Sequence, residues 1–124
     1  MGHSEETPAD RKTREKEAAK AMRDAEKADE ATARLAQSSL LKLEPVHLEL
    51  QAILAHSSFG QVSEIVREPI RQDFVAIVEY ISACNDGGPL PFDQKTLAIH
   101  IARTRKDIVL CKNMLCSIAR AAGR

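Results

Sequence analysis

Aromatic side chains are nearly missing from this chain: one Tyr, three Phe and no Trp among 124 residues, or 3%. A core without large rings has to be filled by Leu, Ile, Val and Ala, which suits close-packed helices. The same shortage argues against stacking platforms for single-stranded nucleic acid. Net charge is absent as well, with 18 Lys+Arg against 18 Asp+Glu. A balanced chain has no global pull towards a polyanion.

Glycine, at five residues, forms no phosphate-binding pattern. There is no GxGxxG, no GxxxxGK[ST] and no GxSxG, so neither a nucleotide cradle nor a nucleophile elbow is indicated. Cysteines number three, an odd count without a CxxC pair. Cys111 and Cys116 stand five apart on one helix pattern, about 7.5 Å along the axis, too far and too divergent to bridge. Such cysteines read as small hydrophobes in a reducing compartment, and the expected location is cytoplasmic. The four histidines, His3, His47, His56 and His100, form no HExxH and no cluster with cysteine. No metal, cofactor, catalytic residue or small-molecule substrate is therefore expected. The first residues lack the apolar run of a secretory leader, and no stretch approaches the roughly 20 apolar residues of a membrane span.

The strongest positive signal lies in the last quarter. Leu97, Ile101, Thr104, Ile108, Cys111, Leu115, Ile118 and Ala122 recur at alternating spacings of four and three. This is the seam of a helix over Asp93–Ala122, capped by Asp93. Upstream, Asn85-Asp86-Gly87-Gly88-Pro89-Leu90-Pro91 is the clearest break in the chain, and Leu90 and Phe92 after it suit a hydrophobic staple with Leu97. Before it, Val62, Ile65, Val66, Ile70, Phe74, Ile77, Val78, Ile81 and Cys84 predict a helix over Gln61–Cys84, kinked or briefly broken at Pro69. Glu64, Glu68, Asp73 and Glu79 fall on its expected outer face. A short helix with Val46, Leu50, Ile53 and Leu54 precedes it and ends near Gly60, a candidate for positive φ. Glu44-Pro45 should end or kink whatever comes before.

That earlier stretch is rich in Ala, Glu, Lys and Arg. Thr7 and Pro8 mark its start. Its only seam before Leu35 is Ala18, Ala21, Met22, Ala25 and Ala28, which buries little area. Three readings stay open: a solvated or frayed extension, an alanine-seamed contact with a second chain, or a flexible charged tail. The sequence thus predicts an all-α fold, a small three- to four-helix bundle with a long Ala/charge-rich N-terminal helix and a long C-terminal helix. Its expected organisation is a disordered N-terminus over 1–7, a charged helical arm over 8–44 and a bundle core over 45–124.

Function is expected to be binding rather than chemistry. The final helix is apolar around most of its circumference, where Val109, Leu110 and Met114 add to the seam. These residues, with Ala18, Ala21, Ala25 and Ala28, are the candidate partner-binding surface of a self-assembling module or a subunit of a larger complex. The alternative is nucleic acid. Charge is uneven along the chain, 2 basic and 6 acidic over residues 45–88 against 7 and 2 over 89–124. Arg103, Lys106 and Arg120 line one face of the basic helix and would meet phosphates, an acidic partner, or the acidic middle helix.

Overall fold

A computed structural model describes residues 7–123; the disorder expected before Thr7 lies outside them. The fold is a small all-α bundle of three helices: α1 (Pro8–Leu54), α2 (Glu64–Asp86) and α3 (Gln94–Ala122). A single 3-10 turn, Phe59–Gln61, lies between α1 and α2. Two compact units are distinguished, Met1–Arg34 and Leu35–Arg124. In the first, every described side chain is exposed, and Thr7 starts the helix by accepting a hydrogen bond from the Asp10 amide at 3.2 Å. The segment 35–44, assigned by composition to the arm, packs with the bundle through Ala36, Ser39 and Leu43.

The second unit is built from three seams with one repeat. Its α1 portion buries Ala36, Ser39, Leu43, Val46, Leu50 and Ile53. α2 buries Val66, Ile70, Asp73, Ile77, Tyr80 and Cys84. α3 buries Leu97, Ile101, Thr104, Ile108, Cys111 and Leu115. Each set steps by alternating threes and fours, the spacing that keeps one stripe of a helix facing its neighbours. Leu50, Ile70 and Cys111 are wholly inaccessible. On α3 the expected seam holds through Leu115, then fades to a half-buried Ile118 and an exposed Ala122.

Pro45 departs most from the sequence reading. Pro45 lies inside α1 and does not end it. The residue whose carbonyl loses its donor is Leu41, four earlier, 68% exposed on the outer face. A carbonyl on that side can turn to water, so the missing bond is tolerable there. Pro69 lies inside α2, as the apolar period running through it predicts, and the residue four before it, Ile65, is 85% exposed. That exposure also corrects the expected core, from which Ile65 and Val78 drop out while Tyr80 and Asp73 enter.

Helix ends follow the sequence more closely. The Asp93 carboxylate accepts from the Thr96 amide at 2.7 Å and starts α3. That bond, given by an N–H of the first turn, holds the Asp93 carboxyl below its usual range. Gly87 ends α2 with φ 71°, a left-handed conformation that disfavours any side chain. Gly60 does not adopt positive φ; it belongs to the 3-10 turn. Leu90 and Phe92 both pack against the core, as a staple requires.

Candidate functional site

Side chains beside the seams decide which helices meet along each groove. Lys112 of α3 approaches Glu49 of α1, with Nζ 3.3 Å from the carboxylate. This pair marks the α1-facing side of α3. Beyond it the two helices part around a cavity of about 370 Å³. From α1 its lining comprises Glu49, Ala52 and Ile53, with His56 just beyond the helix end; from α3, Lys112, Leu115, Cys116 and Ala119. The walls are mostly apolar, formed by Ala52, Ile53, Leu115, Cys116 and Ala119. Charge is confined to the Glu49–Lys112 pair, which is half-exposed and contributes little to stability. His56 is engaged locally, its Nδ1 accepting from the Ser58 amide at 3.0 Å.

Val109 belongs to this side of α3, three residues before Lys112 and seven before Cys116. It is 57% exposed. Leu48, four before Ala52 on α1, is 58% exposed. The groove itself is open and mostly apolar.

The candidate partner surface on α3 is thereby divided. Leu110, 50% exposed, and Met114, half-buried, lie on the α2 side. Met114 packs against the core and, with Ile118, Asn113, Ser117 and Gln61, lines a shallower depression. Val109 and Leu110 therefore serve different grooves although they are sequence neighbours, since successive helical residues point about 100° apart. Ala18, Ala21, Ala25 and Ala28 are all exposed on the Pro8–Arg34 portion of α1.

The basic candidates Arg103, Lys106 and Arg120 are exposed on α3, and Arg103 has a defined neighbour. Its charge acts attractively on Asp73 of α2. Other acidic residues of α2 are occupied near its start: Arg67 pairs with Glu64 at 2.6 Å, and Arg71 with Glu64 at 2.8 Å and Glu68 at 3.2 Å. The hydrogen bond from Arg71 holds the Glu64 carboxyl below its usual range.

Two polar features escaped the sequence reading. One ties all three helices near the start of α3. The Gln94 amide donates to Ser39 Oγ of α1 at 2.9 Å and to the Tyr80 hydroxyl of α2 at 3.4 Å. Ser39 in turn donates to the Leu35 carbonyl at 2.7 Å, and Tyr80 donates to the Phe92 carbonyl at 3.3 Å. Rings pack around this network, Tyr80 on Phe92 at 4.8 Å and Phe92 on His100 at 5.6 Å. His100 is half-buried beneath this ring stack. The other feature is Asp73, placed on the outer face by sequence but buried in the α2 seam. The charge of a residue type did not reveal its register; the three-four repeat running through Ile70 and Ile77 would have.

Cys84 and Cys111 are buried, and burial pushes both thiols up, away from thiolate chemistry. Cys116 is exposed at the groove. Among the described residues no group of three or more His, Cys, Asp or Glu is placed to hold a metal ion, and no helix is long and apolar enough to cross a membrane. No protein-family model, curated protein or solved structure matches this chain.

Proposed function

We propose that this chain is a non-enzymatic protein–protein interaction module, self-assembling or a small subunit of a larger complex, that acts by burying one helix against another. The observation that carries the reading is the open α1–α3 groove, apolar in its walls, together with the exposed Val109 and Leu48 on the same two helices. Its occupant is an amphipathic helix that seats small or branched apolar residues over Ala52, Cys116 and Ala119. Charge shapes the rest of that helix. α3 carries Lys95, Arg103, Arg105, Lys106, Lys112 and Arg120 against Asp107 alone, which favours acidic flanks on the partner.

The Pro8–Arg34 portion of α1 supports the same reading. Its described side chains are all exposed, and a helix stabilised only by local propensity is marginal in water. Ala18, Ala21, Ala25 and Ala28 form a stripe over which a second helix can approach closely. Such a contact would convert a marginal helix into a stable one.

Sedimentation equilibrium over micromolar to tens of micromolar concentration tests the self-assembling form. A mass above the 13.7 kDa of one chain is expected, with loss of assembly and unchanged helicity in Val109→Glu. Addition of duplex or single-stranded nucleic acid at low salt, where phosphate contacts are strongest, tests the alternative through Arg103, Lys106 and Arg120. Binding there that is lost in the triple Arg103→Gln, Lys106→Gln, Arg120→Gln variant, with no protein self-association, would replace the proposal.

A further inference from the structure

Beside its buried seam α3 carries a second stripe with the same repeat. Ala102, Arg105, Val109, Lys112, Cys116 and Ala119 step by threes and fours, and all six are exposed. Lys112, Cys116 and Ala119 already line the α1–α3 groove. From Arg105 to Ala119 the stripe runs about 21 Å. Its side chains are small or branched wherever they are apolar, and its charges are both positive. Arg105 has no ion-pair partner among the described residues. Lys112 gives Glu49 one of its three donors.

A helix that fits such a stripe needs small residues along its contact face and acids at the edges of that face. A segment of this chain has that pattern. On the Pro8–Arg34 portion of α1, Ala18, Ala21, Ala25 and Ala28 step by three, four and three. Helical geometry puts Glu17 and Asp24 beside them on one edge, and Met22 and Asp29 on the other. Lys16, Lys20, Arg23 and Lys27 turn away from the alanines. Glu17 to Asp29 spans about 18 Å, close to the length of the stripe on α3. All of these side chains are exposed. The acids also disfavour the arm as its own partner, since two copies of the alanine face brought together would set carboxylate against carboxylate.

We propose that the α1–α3 groove is filled by the Pro8–Arg34 arm of a second copy of this chain. The alanines of that arm seat on Val109, Cys116 and Ala119, and its acids face Arg105 and Lys112. The inference rests on the groove being the helix-binding surface of a self-assembling module, and it names the occupant. The contact joins unlike surfaces, and each copy has one of each to give and to receive. Sequence complementarity of this kind sets which face meets which, while burial of the small residues supplies the attraction.

Charge reversal in the full chain, read by sedimentation equilibrium, tests the pairing. Glu17→Lys, Asp24→Lys and Asp29→Lys together reverse the arm; Arg105→Glu with Lys112→Glu reverses the groove. Each variant alone is expected at 13.7 kDa with wild-type helicity. An equimolar mixture is expected to recover the wild-type mass, because reversed arm then meets reversed groove and native arm meets native groove. A mixture that stays at 13.7 kDa overturns the pairing, as does a groove variant that assembles like the wild type. An arm variant that keeps the wild-type mass, where Val109→Glu dissociates, also overturns it and leaves the groove with a different occupant. A wild type at 13.7 kDa throughout overturns this proposal and the self-assembling reading together. Should the reversed groove not fold, Cys116 supplies a second readout, since it is exposed while Cys84 and Cys111 are buried. Under mild oxidation at least one of Ala18→Cys, Ala21→Cys, Ala25→Cys and Ala28→Cys is expected to form an interchain disulfide to Cys116, and Lys16→Cys and Lys27→Cys are not. Linkage from none of the four, or equally from Lys27→Cys, overturns the proposal.

Discussion

Tyr80 and Asp73 show how single residues set the interior of this bundle. Tyr80 is the sole tyrosine, wholly buried on the seam, with its hydroxyl joined to the Phe92 carbonyl and to Gln94. Tyr80→Phe keeps the ring and removes those bonds, so a loss of about 1 kcal/mol is expected in urea unfolding. Tyr80→Ala leaves a cavity as well and should lose about 3–5 kcal/mol. Equal effects of the two would show that the hydroxyl, not the packing, matters. Neither residue was legible as core from type alone: an aspartate is usually outside, and a lone tyrosine suits either face. Both obey the seam, since Asp73 falls three after Ile70 and Tyr80 three after Ile77. In this chain the repeat carried more information than the hydrophobicity of any one position. Ile65 makes the converse case, an apolar side chain 85% exposed because it lies off the stripe.

Elements were legible where local chemistry decides them and illegible where solvent rescues a broken rule. The Asp93 cap could be named from sequence because its carboxylate satisfies a first-turn amide without help from the rest of the fold. Asp93→Ala is expected to lower stability by about 1 kcal/mol. Gly87→Ala should lose a similar amount, about 1–2 kcal/mol, through the left-handed φ it would force on a side chain. From sequence Pro45 was expected to end or kink the helix, whereas α1 runs through it, because the rule for proline concerns backbone alone. What decides is whether the freed carbonyl faces water, and the exposure of Leu41 was a property of the tertiary structure. Pro45→Ala restores that donor without disturbing the seam, so it should raise stability by about 1–3 kcal/mol, less whatever freedom the unfolded chain regains. A loss of stability would show that the ring itself packs usefully on the outer face.

At the scale of the whole molecule, three matched seams leave one groove between α1 and α3 open and apolar. The sequence showed excess apolar surface on α3 but not which neighbouring helix each residue faces, which is set only once α1 and α2 are in place. It also could not show the groove, whose walls come from two helices far apart in the chain. The most direct measurement of the central claim is sedimentation equilibrium of the wild type beside Val109→Glu. The account predicts an assembled wild type and a 13.7 kDa variant with the same helicity. A wild type that remains at 13.7 kDa to tens of micromolar, or a Val109→Glu variant that keeps the wild-type mass, would contradict burial of this face in a self-assembled form.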